Sequence, residues 1–88
     1  MDNENISFFF RARPIEILME LKNNGRIITA SEITHRTRGT YSHVLKIINR
    51  LEEMRILIKK KEGRNVILTL TQKGREITEY LSEVIKRL

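Results

Sequence analysis

Between Ile56 and Leu70 the hydrophobic pattern of this chain changes period. Ile56-Leu57-Ile58-Lys59-Lys60-Lys61 and Asn65-Val66-Ile67-Leu68-Thr69-Leu70 are β-branched runs, and Glu62-Gly63-Arg64 between them contains the glycine that a hairpin turn favours. On both sides of this stretch the apolar residues recur at helical spacing instead. The expected fold is mainly α with one small β-hairpin, an α+β arrangement.

The helices can be placed by their ends. Pro14 suits a first turn, where its missing N–H costs nothing. Ile15, Leu18, Leu21 and Lys22 then share a face, with Ile17 and Met19 flanking, so a first helix is expected over about 13–23. Asn23-Asn24-Gly25 ends it, with Gly25 able to take a left-handed cap, and Arg26-Ile27-Ile28 suits one short strand. Thr29-Ala30-Ser31-Glu32 fits a capping box and opens a second helix, Ala30 to about Thr37, with Ile33 facing inward. Arg38-Gly39-Thr40 reads as a turn in which Gly39 permits positive φ and Thr40 caps the next helix. This third helix, over 41–54, has Val44, Leu45, Ile48 and Leu51 inward and Ile47 at the margin. Its outer face is Ser42, His43, Lys46, Asn49, Arg50 and Glu53. After the hairpin, Thr71 caps a last helix over 72–88, whose apolar stripe is Ile77, Leu81, Val84, Ile85 and Leu88. Residues 1–11 show no clear period; Phe8-Phe9-Phe10 reads as a cover over the core or a short strand. The 88 residues make a single domain, with a core over about 14–71 and the last helix beyond it.

Several function classes are excluded. So short a chain buries one modest core and has little room for a deep cavity beside it. Cysteine is absent, which removes disulfides, thiolate metal sites and thiol catalysis. His35 and His43 flank the turn and lack carboxylate partners at ligand spacing. No phosphate-binding glycine loop or nucleophile elbow occurs, so neither an enzyme nor a cofactor or metal protein is expected. No apolar run approaches the roughly 20 residues that span a bilayer. Asp2 and Glu4 before the Phe cluster are the wrong order for a secretory signal, which makes the cytoplasm the expected location and a membrane an unexpected partner.

The net charge of +6 is concentrated. From His35 to Arg64 there are nine Lys or Arg and three Glu, while the remainder holds eight of each sign. One contiguous third of the chain thus carries the whole excess, as a polyanion-binding face requires. The same third contains two helices joined by a tight turn, the second offering small polar and basic side chains outward. A helix of this kind fits the DNA major groove, with its N-terminal residues nearest the base edges. The hairpin beyond it has three lysines on one arm and Arg64 at its tip, and such a tip can lie along phosphates or in a minor groove.

The segments Ile28-Thr29-Ala30-Ser31-Glu32-Ile33, Tyr41 through Glu52, and Ile56-Leu57-Ile58 resemble the winged helix-turn-helix of small prokaryotic transcription regulators. The stretch Leu68-Thr69-Leu70-Thr71-Gln72-Lys73-Gly74-Arg75-Glu76 is similar to the LTxKG motif that closes the wing in MarR-like regulators and their archaeal relatives. MarR-type proteins are longer, so the chain looks more like the minimal regulators of archaea and their viruses. The resemblance implies a three-helix core plus wing, with 41–54 as recognition helix and 56–70 as wing. It implies that Ser42, His43 and Lys46 reach base edges or the groove floor, that Asn49 and Arg50 reach groove or backbone, and that Thr40 and Tyr41 serve phosphate or the cap. Arg36, Arg38, Lys60, Lys61 and Arg64 are then expected on phosphates, and double-stranded DNA is the expected partner.

On the last helix part of the stripe Ile77, Leu81, Val84, Ile85 and Leu88 must cover the core, but from Leu81 on it extends beyond what a small core reaches, so the stripe is expected to pair with a second copy. The alternative is a helix folded back onto the first one and the Phe cluster. The leading functional expectation is a sequence-specific homodimeric regulator of transcription. Two others stand beside it: a winged helix that docks proteins in a transcription or replication assembly, and a sequence-independent chromatin-type binder.

Overall fold

The computed structural model describes residues 3–24 and 28–88. Along these residues the elements are α1 (Asn3–Phe9), α2 (Ala12–Asn24), β1 (Ile28–Thr29), α3 (Ala30–Arg36), α4 (Tyr41–Glu53), β2 (Leu57–Glu62), β3 (Asn65–Leu70) and α5 (Gln72–Lys86). The period change at residue 56 is the hairpin β2–β3, with Gly63 at φ 59° in its turn. Leu57 pairs with Leu70, Lys59 with Leu68 and Lys61 with Val66, which puts these six on one sheet face. β1 adds antiparallel to the other side of β3, Ile28 opposite Leu68, giving the order β1-β3-β2. The expected Gly25 cap, and Arg26 and Ile27 of the expected strand, lie outside the described residues.

The helices differ from expectation in phase and at one end of the chain. The N-terminal segment is a helix, not a strand. Seven residues are too few to show a period, and what holds α1 is tertiary packing: Phe9 is buried in the core and Phe8 packs against it, while Phe10 lies edge-on to Phe9 and is exposed. In α2 the buried stripe is Pro14, Ile17, Leu18 and Leu21, an i, i+3, i+4, i+7 series; Ile15 only flanks it. In α4 the buried residues are Val44, Ile47, Ile48 and Leu51, so Ile47 takes the core place expected of Leu45, which is half-exposed. These side chains join Ile33, Ile56, Leu57 and Leu68 in one core.

α5 begins on a bonded junction. The Thr71 hydroxyl accepts from the Gly74 N–H at 3.0 Å and lies 2.6 Å from the Arg55 carbonyl, to which it donates. The Thr71 N–H donates to the Ile56 carbonyl at 3.0 Å, and Lys73 Nζ donates to the Met54 carbonyl at 2.9 Å. Gly74 is buried against the Ile56 backbone. The Leu-Thr-x-Lys-Gly stretch is therefore a clasp that ties the start of α5 to the end of α4. Further along, Leu81 and Thr78 face inward, and Lys22 of α2 pairs with Glu79 at 3.5 Å. Leu81 belongs to the core and Ile77 packs on it, so neither is on the outer ridge expected of the last helix. That ridge consists of Tyr80, Val84, Ile85 and Leu88, exposed by 73, 55, 43 and 99%. No helix among the described residues is long and apolar enough to cross a membrane.

Candidate nucleic-acid interface

The turn between α3 and α4 is a helix C-terminal motif built on an arginine. Thr37 is the C-cap of α3, Arg38 comes next at φ 55°, and the N–H groups of Arg38 and Gly39 donate to the carbonyls of His35 and Thr34 at 3.2 and 3.1 Å. Positive φ falls on Arg38, not on Gly39 as the sequence suggests. Gly39 is required for a different reason: a Cβ there would stand 2.8 Å from Val44 Cγ2. The arrangement holds α4 close against α3 and leaves the Arg38 side chain exposed at the corner. Arg13 of α2 donates to the Thr37 carbonyl and fastens the turn to the core from behind.

The three threonines that precede helices behave differently. Thr29 caps α3, accepting from Glu32 N at 3.1 Å, and Thr71 caps α5. Thr40 has the extended backbone of an N-cap, but its side chain makes no cap hydrogen bond. It holds the N-cap position expected of it, its carbonyl accepting the Val44 N–H at 2.9 Å, but the hydroxyl is left unused and stands exposed beside Arg38. An open concavity of about 660 Å³ runs along this corner, lined by Ser31, Thr34, His35, Arg38 and Gly39. Ser31 and His35 are additions to the expected site, and the signal that points to them is their place one turn apart on the outer side of α3.

The outer side of α4 divides into two halves. Tyr41, Ser42, His43 and Lys46, on its first two turns, are exposed and make no side-chain hydrogen bond or ion pair among the described residues. Asn49 and Arg50, on the later turns, are half-buried and engaged. Asn49 Oδ1 accepts from Lys59 Nζ of β2, and Glu52 Oε2 accepts from the Lys59 backbone N–H at 3.0 Å. Arg50 donates to Asn5 Oδ1 of α1 at 2.7 Å, lies 3.6 Å from Glu53 and covers the Phe8 ring at 5.8 Å from its centroid.

Those contacts also fix how the hairpin lies. Residue 59 meets residues 52 and 49, so β2 runs back along α4 from its C-terminal end. Lys61 shares the Lys59 sheet face two residues further toward the hairpin turn. Lys61 and Arg64 are exposed and unpaired among the described residues, whereas Lys60, on the opposite face, lies 3.6 Å from Glu62. Arg36 is held by Glu32 at 2.9 Å and Glu20 at 3.5 Å. Of the expected contact residues, the cations left unpaired among the described residues are therefore Arg38, Lys46, Lys61 and Arg64. No group of three or more potential metal ligands occurs among the described residues.

A helix pair on a tight turn, joined to an antiparallel hairpin that runs back along the second helix, defines a winged helix-turn-helix. The chain belongs to the winged helix DNA-binding domain family, whose model matches residues 10–74. It is 30% identical to an uncharacterized protein of Archaeoglobus fulgidus, over 97% of this chain and 93% of that one. A crystal structure from Archaeoglobus fulgidus superposes with a TM-score of 0.82 at 28% identity, covering 93% of each chain. The same fold occurs in a MarR family transcriptional regulator from Silicibacter pomeroyi, at TM-score 0.79 and 16% identity, covering 97% of this chain and 61% of that one.

Proposed function

We propose that this protein is a homodimeric, sequence-specific regulator of transcription that grips double-stranded DNA with the corner, the first half of α4 and the wing. The observation that supports this reading is that the corner, the first half of α4 and the wing carry exposed cations and polar side chains without partners among the described residues. Arg38 stands at the corner, Ser42, His43 and Lys46 are on the first two turns of α4, and Lys61 and Arg64 are on the wing. In this reading Ser42, His43 and Lys46 meet base edges in the major groove. Arg38, Thr40 and Tyr41 meet phosphate beside the positive end of the α4 dipole. Lys61 and Arg64, with Lys60 at the wing's outer face, track the backbone or enter the minor groove. Arg36, tied to two glutamates, contributes less.

The dimer uses the α5 ridge. Tyr80 and Val84 stand four residues apart on one line of α5, with Leu88 just past the helix end, and their exposure in a single copy is what a matching ridge would remove. Two such domains would read half-sites roughly 34–36 Å apart. The test is selection of bound duplexes from a random pool, then competition between the selected and a shuffled duplex. A palindromic consensus with a preference of about a thousandfold or more supports the reading, in line with the roughly 10³–10⁷ span of specific regulators. Equal affinity for both duplexes removes it.

A further inference from the structure

α4 carries two cations on its outer side, and their surroundings are opposite. Lys46 is exposed and unpaired among the described residues. The Arg50 guanidinium, one turn later, holds Asn5, faces Glu53 and lies over Phe8. Two of these partners belong to α1, a helix of seven residues. An isolated helix so far below about 12–15 residues does not persist in water, so α1 exists through what it touches. Phe9 in the core is one anchor, and Arg50 is the other that the reading helix itself supplies.

We infer that Arg50 is a positioning residue, which fixes α1 onto the reading helix through Asn5 and Phe8 and thereby sets the bearing of α4 on DNA. This rests on the DNA-binding reading above. The guanidinium is engaged at once by a hydrogen bond, a carboxylate and an aromatic face, so swinging out to a phosphate away from α1 costs these contacts. Asn49 is committed in the same way to the wing lysine Lys59. The later turns of α4 are thus braced on one side by the wing and on the other by α1. Its first two turns are left to read.

Salt-dependent binding separates positioning from phosphate contact, because each lost phosphate contact lowers the slope of log K against log salt by about 0.9. Asn5→Ala, Arg50→Ala, Arg50→Lys and the Asn5→Ala/Arg50→Ala double variant are compared on the selected duplex. Asn5→Ala introduces the best helix former, so it does not weaken α1 by propensity. The expected result is an affinity loss of about fivefold for each single alanine variant, no further loss in the double variant, and an unchanged slope. Arg50→Lys keeps the charge and does not restore affinity, because a lysine cannot reproduce the flat fork over Phe8. Additive losses, or a slope lowered by about one unit in Arg50→Ala with Asn5→Ala silent, overturn the inference. Hydrogen exchange on the free proteins keeps the brace testable if the unaltered protein binds no duplex, a result that would sink the DNA-binding reading. Faster exchange at the Phe8–Phe10 amides in both single variants upholds the brace, and unchanged exchange removes it.

Discussion

Gly74 lies against the backbone of Ile56 so closely that a Cβ would overlap the carbonyl oxygen and stand 2.9 Å from its carbon. That oxygen also accepts the Thr71 N–H, so it cannot move aside without breaking the clasp. Gly74→Ala is expected to cost about 3 kcal/mol, at the upper end of overpacking effects, measured by urea unfolding. Gly63→Asn is the control. A Cβ at Gly63 meets nothing within 4 Å, and Asn tolerates its φ of 59°, so the expected cost stays below about 1 kcal/mol.

Two arginines hold left-handed backbone, Arg38 at φ 55° and Arg55 at φ 61°, each just past the end of a helix. Glycine adopts this conformation without the Cβ penalty. Arg38→Gly and Arg55→Gly are each expected to stabilise the fold by about 0.5–1 kcal/mol after glycine's own entropic cost. Their effects on DNA should diverge. Arg38→Gly weakens binding, while Arg55→Gly, at the far end of α4, leaves it unchanged in a fluorescence anisotropy titration.

The two thresholds of α4 and α5 give a further contrast. Thr71→Ala removes a filled cap and a bond across the clasp, with an expected loss of about 1–2 kcal/mol. Thr40→Ala removes no cap bond and is expected to change thermal stability by less than about 0.5 kcal/mol while lowering DNA affinity.

Removing Lys61 and Arg64 together is expected to lower the salt slope by about 1.8 per protomer, two phosphate contacts' worth. Arg36→Ala is expected to leave that slope nearly unchanged, because its guanidinium is held by Glu32 and Glu20. Affinities over a series of salt concentrations measure both.

For the ridge on α5, Val84→Glu is expected to give a monomer by sedimentation equilibrium at micromolar concentration, with stability altered by less than about 0.5 kcal/mol as usual for an exposed site. Leu81→Ala, in the core, is expected to cost about 2–4 kcal/mol at any association state. A strictly monomeric unaltered protein, with and without duplex, defeats the dimer.

The features legible from the chain are those written locally. The hairpin is carried by a change of period around Gly63, and the α3 and α5 starts by threonine caps three residues from the N–H they satisfy. The charge excess of 35–64 falls on the corner, α4 and the wing, which is a matter of counting along the chain. Rotational phase and long-range pairing are not written locally. Ile47 replaces Leu45 in the core, and Leu81 turns inward while Tyr80 turns outward, because packing against α2 and the sheet sets the angle and a stripe of apolar residues does not. Arg50 and Asn5 are 45 residues apart, and nothing in an asparagine near a chain's start announces an arginine partner on a distant helix. Positive φ falls at Arg38 and not at Gly39, since clearance from Val44 is what the glycine provides.

The clasp at Thr71 has a mechanical meaning. With the opening turn of α5 stitched to the closing turn of α4 by main-chain and hydroxyl bonds, the two helices behave as one bent lever. Whatever seizes the outer arm of that lever is expected to steer the inner arm through these bonds. If two copies read two half-sites as proposed, tolerance to a change in their spacing is expected to come from bending of the DNA, since main-chain and hydroxyl bonds stiffen this joint.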